Sequence, residues 1–195
     1  MINENNRVTI VGQVGVIEFS HSFKGENFYR AWVSIHRLSD TVDTVPVIVP
    51  ELLLELRQVG PDCNVCIEGQ YRQRNTGRKS DLYVFANEIS LCCEIDSNKI
   101  LLNGYIGKQP IYRQTPTGRE ITDTIMAVNR PNKKADYIPC IFWGRNAERV
   151  SILPVGSHLI LEGRIQSREY QKQLNGQFYT LTAYEVSISM IDIKL

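Results

Sequence analysis

The sequence predicts an all-β protein made of two tandem five-stranded barrels, each with one short helix between its third and fourth strands. Three observations support this. The halves of the 195-residue chain resemble each other, each half alternates strand-like segments with turn signals, and one helical segment falls at the same place in both. A chain of this length fits one large domain or two small ones, and the repeat favours two. We place the first unit at residues 1–96 and the second at residues 97–195.

The internal repeat has a spacing of about 92–97 residues, and the spacing drifts along the chain as loop insertions would make it drift. Equivalent residue types follow one another in the same order in both halves. The matched segments are Asn6-Arg7-Val8 with Asn98-Lys99-Ile100, Glu68-Gly69 with Glu162-Gly163, and residues 84–90 with residues 181–187. An internal duplication explains this order and predicts the same fold for both halves.

Strands and turns alternate through the second unit. Asn175-Gly176 is a strong hairpin signal, because a type I′ turn needs positive φ at both central residues. The helix of this unit should begin at Asn146, a good N-cap residue, and that of the first unit should cover residues 51–56. The predicted strands lie near 99–106, 121–129, 137–143, 158–168 and 178–192. Five strands with a helix between the third and fourth is the order of an OB barrel.

The sequence shows no feature of a membrane protein and no complete metal or cofactor site. No apolar run reaches the ~18–20 residues of a membrane span, and residues 1–6 lack the features of a signal peptide, so a cytoplasmic protein is expected. The five cysteines are odd in number, which favours reduced thiols. Cys63 and Cys66 have the spacing of a zinc half-site, but the adjacent Cys92 and Cys93 would point to opposite faces of a strand. No metal or cofactor is therefore predicted.

Charge is divided unequally between the halves. Residues 1–97 contain 9 Lys and Arg against 13 Asp and Glu, whereas residues 98–195 contain 13 against 8. The first unit therefore has a net charge of −4 and the second of +5. Such asymmetry predicts that a polyanion would bind to the second unit.

An enzymatic function is not expected. The three histidines, His21, His36 and His158, lie far apart and lack the partners of a catalytic set. There is no phosphate-binding glycine loop, and the carboxylates are scattered rather than grouped as in a metal-dependent nuclease.

Several short motifs of the second half occur in a characteristic order. They include Asn98 through Gly107, Thr115-Pro116-Thr117-Gly118, Ala127-Val128-Asn129-Arg130, Phe142-Trp143-Gly144, residues 162–170 and Ala183-Tyr184-Glu185-Val186. In this order and spacing the second half resembles the bacterial single-stranded DNA-binding protein (SSB) family. The first half shares only its glycines, its strand pattern and the segment around Glu88, so it is interpreted as a divergent repeat.

The resemblance implies OB barrels that bind single-stranded DNA without catalysis, in replication, recombination or repair. It also implies assemblies of four barrels, so that two of these chains would form a homodimer, and it allows replication proteins as partners. The aromatic stacking positions of the family fall at Tyr137, Trp143 and Tyr170, and a fourth near Arg130 holds no aromatic ring. In the first half the corresponding positions hold Val45, Pro50 and the polar pair Arg74-Asn75. The first unit is therefore expected to be structural.

Binding single strands without sequence preference requires cations for the phosphates and flat aromatic faces for the bases. In an OB barrel the strand crosses the second and third strands between two loops. The predicted binding residues, taken from the stacking positions, the nearby cations and these loops, are Tyr137, Trp143, Tyr170, Arg130, Lys133, Lys134, Arg145, Arg164, Arg168, Lys172, Tyr112, Arg113, Arg119 and Phe178.

Alternation along residues 28–36 of the first unit directs Ala31, Val33 and Ile35 to the core. The outer face would then carry two exposed aromatic rings beside basic side chains. Such rings could stack bases, but in a unit of negative net charge this face is expected rather to meet another barrel or subunit. Its residues are Phe28, Arg30, Trp32 and His36.

Two other functions remain open from the sequence. One is a primosome- or replication-type OB protein that acts mainly as a protein-interaction module, which the near-neutral total charge and the aromatic-poor first unit favour. The other is an RNA-binding OB protein, because stacking and backbone contacts alone do not distinguish RNA from DNA.

Overall fold

The computed structural model describes residues 5–76, 79–174 and 176–194 and confirms the all-β, two-barrel prediction. In the first barrel each strand pairs with two neighbours, and the ring closes through the parallel pairing of the third and fifth strands. Its helix falls between the third and fourth strands, as predicted. The elements are β1 (Asn6–Phe23), β2 (Glu26–His36), β3 (Val42–Pro50), α1 (Glu51–Arg57), β4 (Asn64–Thr76) and β5 (Lys79–Leu91).

The second barrel closes in the same way and carries one strand more than predicted. All four residues of the additional strand are exposed, and the strand pairs with the start of the second strand of the barrel. The elements are β6 (Ser97–Ile106), the additional β7 (Ile111–Gln114), β8 (Glu120–Asn129), β9 (Ala135–Trp143), α2 (Arg145–Ser151), β10 (His158–Leu174) and β11 (Gln177–Lys194). No described helix is long and apolar enough to cross a membrane.

The start predicted for the helix of the second barrel was wrong by one residue, whereas its predicted hairpin turn agrees with the structure where it is described. Helix α2 begins one residue earlier than expected, and its N-cap is Gly144, with φ of 51°, rather than Asn146. The side chain of Asn146 donates instead to the backbone oxygen of Ser189 at 3.3 Å, so it fastens the helix to β11. In the predicted Asn-Gly turn, Gly176 has φ of 81°, as required, while Asn175 lies outside the described residues.

Two glycines mark equivalent bulges in the two barrels. Gly69 in β4 and Gly163 in β10 each follow a register shift against the last strand of their barrel. A Cβ at these positions would overlap the backbone oxygen of Phe85 or of Ser187. Glycine is therefore required where these strands approach most closely, and the pairing of these two glycines in the internal repeat is confirmed.

The barrels are joined by backbone pairing of their first strands. Residues Asn6–Val11 of β1 run antiparallel to Ser97–Leu102 of β6. This pairing fuses both barrels into one continuous eleven-stranded sheet. The side chain of Asn6 donates to the backbone oxygen of Tyr71 at 2.6 Å and accepts from its N–H at 2.9 Å. Asn98 makes the same pair of bonds to Ile165, so these asparagines are structural equivalents as well.

Each barrel also holds the long hairpin of the other through a buried aspartate, and we call these two contacts the aspartate clamps. Asp136, in β9, accepts the backbone N–H of Gln73 in β4 at 2.6 Å and is paired with Arg130. Asp43, in β3, accepts the backbone N–H of Ser167 in β10 at 2.9 Å and is paired with Arg37. Both aspartates are only 1% exposed. The clamps fix how the barrels sit against each other.

The fourth and fifth strands form a longer hairpin in the second barrel than in the first. Gly69 lies opposite Ala86, 17 positions later, whereas Gly163 lies opposite Ile188, 25 positions later. The parallel pairings likewise make Val84 the equivalent of Val186. The sequence alignment of residues 84–90 with residues 181–187 was therefore wrong by five positions, because the hairpin of the second barrel is eight residues longer and the alignment allowed for only three.

Candidate nucleic-acid interface

Two grooves run along the junction between the barrels, and the larger one, of about 1160 Å³, follows β10. We call it the β10 groove. Of the predicted binding residues it contains Arg119, Trp143, Arg164 and Arg168. Glu162 is its one acidic lining residue among those described. Further cations come from both barrels, namely Arg7, Arg37 and Lys99.

The free positive charge of the β10 groove comes mainly from the second barrel. Arg37 is neutralised by Asp43, with its Nη2 2.6 Å from the carboxylate, and Arg7 lies 3.5 Å from Glu68. Lys99, Arg119, Arg164 and Arg168 make no ion pair with any described residue. Partial burial and the neighbouring Arg37 lower the pKa of Arg164. An anion bound here would relieve this repulsion.

Trp143 is held in a fixed position in the β10 groove. Its Nε1–H donates to the hydroxyl oxygen of Ser187 in β11 at 3.0 Å, and its ring is half-buried. A side chain fixed in this way loses little further freedom when a base stacks on it. The sequence placed this aromatic among basic residues, and the structure brings it together with them in one groove.

A row of basic and aromatic side chains continues from the β10 groove along the projecting hairpin. The pairing of β10 with β11 has no register shift beyond Gly163, so residues two apart share a face. Arg168, Tyr170 and Lys172 therefore lie on one face, and Tyr170 is 38% exposed. Tyr179, which the sequence analysis did not single out, lies directly opposite Lys172 and is 45% exposed.

Phe178 does not belong to this row. It lies opposite Gln173, which places its side chain on the other face of the hairpin from Tyr170. Phe178 therefore does not share a face with Tyr170 and Lys172, and its role in binding stays a prediction. The period-2 alternation of the hairpin, counted from its turn, is the sequence signal that would have selected Tyr179 instead.

The second groove, of about 830 Å³, follows β4 and is the β4 groove. Three predicted binding residues, Arg130, Lys134 and Tyr137, lie on its second-barrel side, and Tyr137 is 49% exposed. The opposite side consists of residues of the first barrel. They include Arg72, Arg74, Tyr83, His21 and Phe23, none of which was predicted.

The floor of the β4 groove is apolar and belongs to the outer face of the first barrel. Phe28 packs against Phe85, with ring centroids 6.0 Å apart, and stacks on His21 at 5.0 Å. Alternation placed Phe28 correctly on the outer face, but its neighbours cover it, so the expectation of exposure was wrong. The next residues of that face are also engaged, because Arg30 pairs with Asp81 and lies 5.7 Å from the ring of Trp32.

Arg130 has a structural role that the sequence did not reveal. Its Nε donates to Asp136 at 2.7 Å, and its Nη2 donates to the backbone oxygen of Gln73 at 2.9 Å. The guanidinium is therefore part of an aspartate clamp. Its charge is largely balanced by Asp136, which leaves Lys134 and the arginines of β4 as the free cations of the β4 groove.

Besides Tyr170, Lys172 and Phe178 of the hairpin, four predicted residues line neither groove. Arg113 is paired with Asp123 at 2.6 Å, and Tyr112 is hydrogen-bonded to Glu120, which is the main cause of its raised pKa. Lys133 lies in the β8–β9 turn with φ of 63°, and Arg145 is the first residue of α2. The structure therefore does not bring them together with the other candidates. Among the residues that it describes, no three His, Cys, Asp or Glu side chains meet as a metal site would require.

The sequence comparisons with known proteins match the second half of the chain. A model of the single-strand binding protein family matches residues 97–193. The single-stranded DNA-binding protein of Oceanobacillus iheyensis is 32% identical over 104 residues, which is 50% of this chain and 65% of that protein. Single-stranded DNA-binding protein A of Bacillus subtilis is 32% identical over 104 residues, covering 50% of this chain and 60% of that protein. The match thus spans less than two thirds of either relative.

The fold of the whole chain has a relative among solved structures. The wild-type single-stranded DNA binding protein from Thermus aquaticus matches it with a TM-score of 0.74 and 20% sequence identity, covering 97% of this chain and 93% of the other. This likeness includes both barrels and supports the fold. The resemblance seen in the sequence is confirmed by the family match over the second barrel. Over residues 97–193, which form the second barrel, the chain matches the single-strand binding protein family.

Proposed function

We propose that this protein binds single-stranded DNA without sequence preference and without catalysing a reaction, and that the β10 groove is the main binding surface. The observation that carries the proposal is the position of Trp143 beside four cations that have no carboxylate partner among the described residues. Phosphates would contact these cations, while bases stack on Trp143 and on Tyr170 and Tyr179 beyond it. Such contacts do not read base edges, so they do not discriminate between sequences.

A role in replication, recombination or repair follows from single-strand binding, since each of these processes exposes single strands. The names of the relatives favour DNA over RNA. Nucleic-acid binding is also favoured over the protein-interaction alternative, because that alternative gives no reason for unpaired arginines around a fixed tryptophan. Assembly of two chains into a homodimer with four barrels remains part of the proposal, and light scattering during size-exclusion chromatography would measure it.

The test is a fluorescence-anisotropy titration of a labelled oligo-dT at about 50 and 200 mM salt. Trp143→Ala should weaken binding by about 1–3 kcal/mol, because one stacking face is lost. Trp143→Phe keeps an aromatic ring but removes the N–H bond to Ser187, so its smaller loss would separate stacking from positioning. Arg168→Ala should reduce the slope of log affinity against log salt by about 0.7, the value for one phosphate contact to a single strand.

Arg149→Ala is the matched control. Arg149 is an exposed cation of the same barrel, on α2, and it lines neither groove. Its removal changes net charge as Arg168→Ala does and should leave the salt slope almost unchanged. Failure of the wild-type protein to bind oligo-dT at the lower salt concentration would refute the proposed function. An oligo-rU of the same length, used as competitor, measures the preference for DNA.

A further inference from the structure

The β4 groove brings together residues that are far apart in the chain and in different barrels. Gln73, at the edge of the groove, donates its backbone N–H to Asp136, and its side-chain oxygen accepts the backbone N–H of Tyr137 at 3.2 Å. These contacts place the β4–β5 hairpin of the first barrel directly against the β8–β9 hairpin of the second. The groove is therefore a fixed feature of the fold, held by one of the aspartate clamps.

The first barrel contributes uncompensated positive charge to this groove despite its net charge of −4. Arg72 and Arg74 lie two residues apart on the outer face of β4. The carboxylate opposite Arg74 is that of Asp81, and it is already paired with Arg30. Arg72 bonds to the neutral side chain of Gln70. No Asp or Glu is among the described lining residues of the groove.

The basic side chains converge closely enough to perturb one another. Burial and the nearby Arg130 lower the pKa of Arg72. Burial, Arg74 and Arg30 lower the pKa of His21. The phenol of Tyr83 is influenced by Arg130, Arg74 and Arg72 together, although its burial has the largest effect and raises its pKa. Asp136 balances Arg130 but not Arg72 and Arg74 as well, and a cluster with such an excess of cations favours an anionic ligand.

Aromatic surface lies beside these cations on both sides of the groove. Tyr83 is directly opposite Arg72 in the β4–β5 ladder, and Phe23 is 62% exposed at the end of β1. Across the groove, Tyr137 is about half exposed. Alternating cations and aromatic rings are the combination that binds a phosphate backbone together with unstacked bases.

We infer that the β4 groove is a second single-strand binding site, to which the first barrel supplies Arg72, Arg74 and Tyr83 and the second barrel supplies Lys134 and Tyr137. The inference rests on the proposed function and extends it. The divergent barrel is then part of the binding surface rather than only a structural unit. The occupant is single-stranded DNA, whose phosphates contact the arginines of β4 while its bases reach the aromatic rings.

The test uses the full chain and compares two single substitutions in the first barrel. Arg74 is exposed and makes no ion pair with the described residues, so Arg74→Ala should fold normally. Arg57 is an exposed cation of α1, 3.7 Å from Glu88 and outside both grooves, so Arg57→Ala is the matched control for net charge. Melting temperatures of both variants should stay close to that of the wild type.

Titration of long oligo-dT should show a several-fold weaker affinity for Arg74→Ala and a salt slope lower by about 0.7, with Arg57→Ala unchanged. Photo-crosslinking with oligo-dT that contains 5-iodouracil, followed by peptide mapping, should identify a peptide with Tyr83 or Phe23. The result that overturns the inference is an Arg74→Ala variant that binds like Arg57→Ala, with crosslinks confined to the second barrel. If Arg168→Ala still lowers the slope in that case, the proposed function stands without the second site.

Discussion

Removal of Asp136 tests whether the aspartate clamps hold the two barrels together. The carboxylate is 1% exposed, accepts the N–H of Gln73 at 2.6 Å and pairs with Arg130, whose side chain is 19% exposed. Asp136→Ala leaves the guanidinium without its counter-charge and the amide without its acceptor. Breaking a buried pair from one side costs about 3–5 kcal/mol. We expect about 3 kcal/mol, because Arg130 retains some contact with water.

Equilibrium unfolding in urea measures this change as a shift of the midpoint at unchanged slope. Asp43→Ala removes the other aspartate clamp and should cost a similar amount. Asp192→Ala is the control, since Asp192 and Lys194 form an exposed pair whose removal should change stability by less than about 1 kcal/mol. The double variant Arg130→Ala and Asp136→Ala should lose less than the sum of the single losses, because neither charge is left alone. An Asp136→Ala loss no larger than that of Asp192→Ala would refute the reasoning.

Three further expectations concern single residues. Tyr71→Phe should be at least as stable as the wild type in urea unfolding, because the buried Tyr71 hydroxyl has no hydrogen-bond partner among the described residues. The pKa of His21 is lowered in the folded protein, so its contribution to stability should decline as the pH falls below about 6.5, where the unfolded chain takes up the proton more readily. Arg74→Ala should raise that pKa in an NMR titration, and an unchanged value would contradict the placement of Arg74 beside the imidazole. With a thiol reagent, the exposed Cys93 should react in the native protein and the buried Cys140 only on unfolding, since burial raises the pKa of the Cys140 thiol.

The strands, the helices and the repeat could be predicted because their signals are local. Alternation along β2 directed Ala31, Val33 and Ile35 to the core, and all three are buried. The prediction for the first helix, residues 51–56, agrees with α1 to within one residue. The start of α2 was predicted wrongly because two neighbouring residues can each begin a helix. Asn146 has the chemistry of an N-cap, but the left-handed Gly144 begins α2, and the amide of Asn146 is used in a tertiary contact.

The candidate site was predictable only in part. Arg119, Trp143, Arg164 and Arg168 do meet in one groove, as their clustering and the family resemblance suggested. Residues of the first barrel were missed because net charge was counted over whole halves of the chain. The net charge of a whole unit does not show that Arg72 and Arg74 face the junction. Nor does it show that the carboxylate of Asp81 is already paired with Arg30.

The sequence alone was enough to predict two related β-barrels and the resemblance of the second to single-strand binding proteins. Strand alternation, turn residues and motif order are properties of neighbouring residues, so they can be identified without the fold. The shared sheet, the aspartate clamps of Asp43 and Asp136 and the two grooves along the junction became visible only in the folded protein. These features join residues about 60 to 120 positions apart, and which of them meet depends on strand register and on the packing of one barrel against the other.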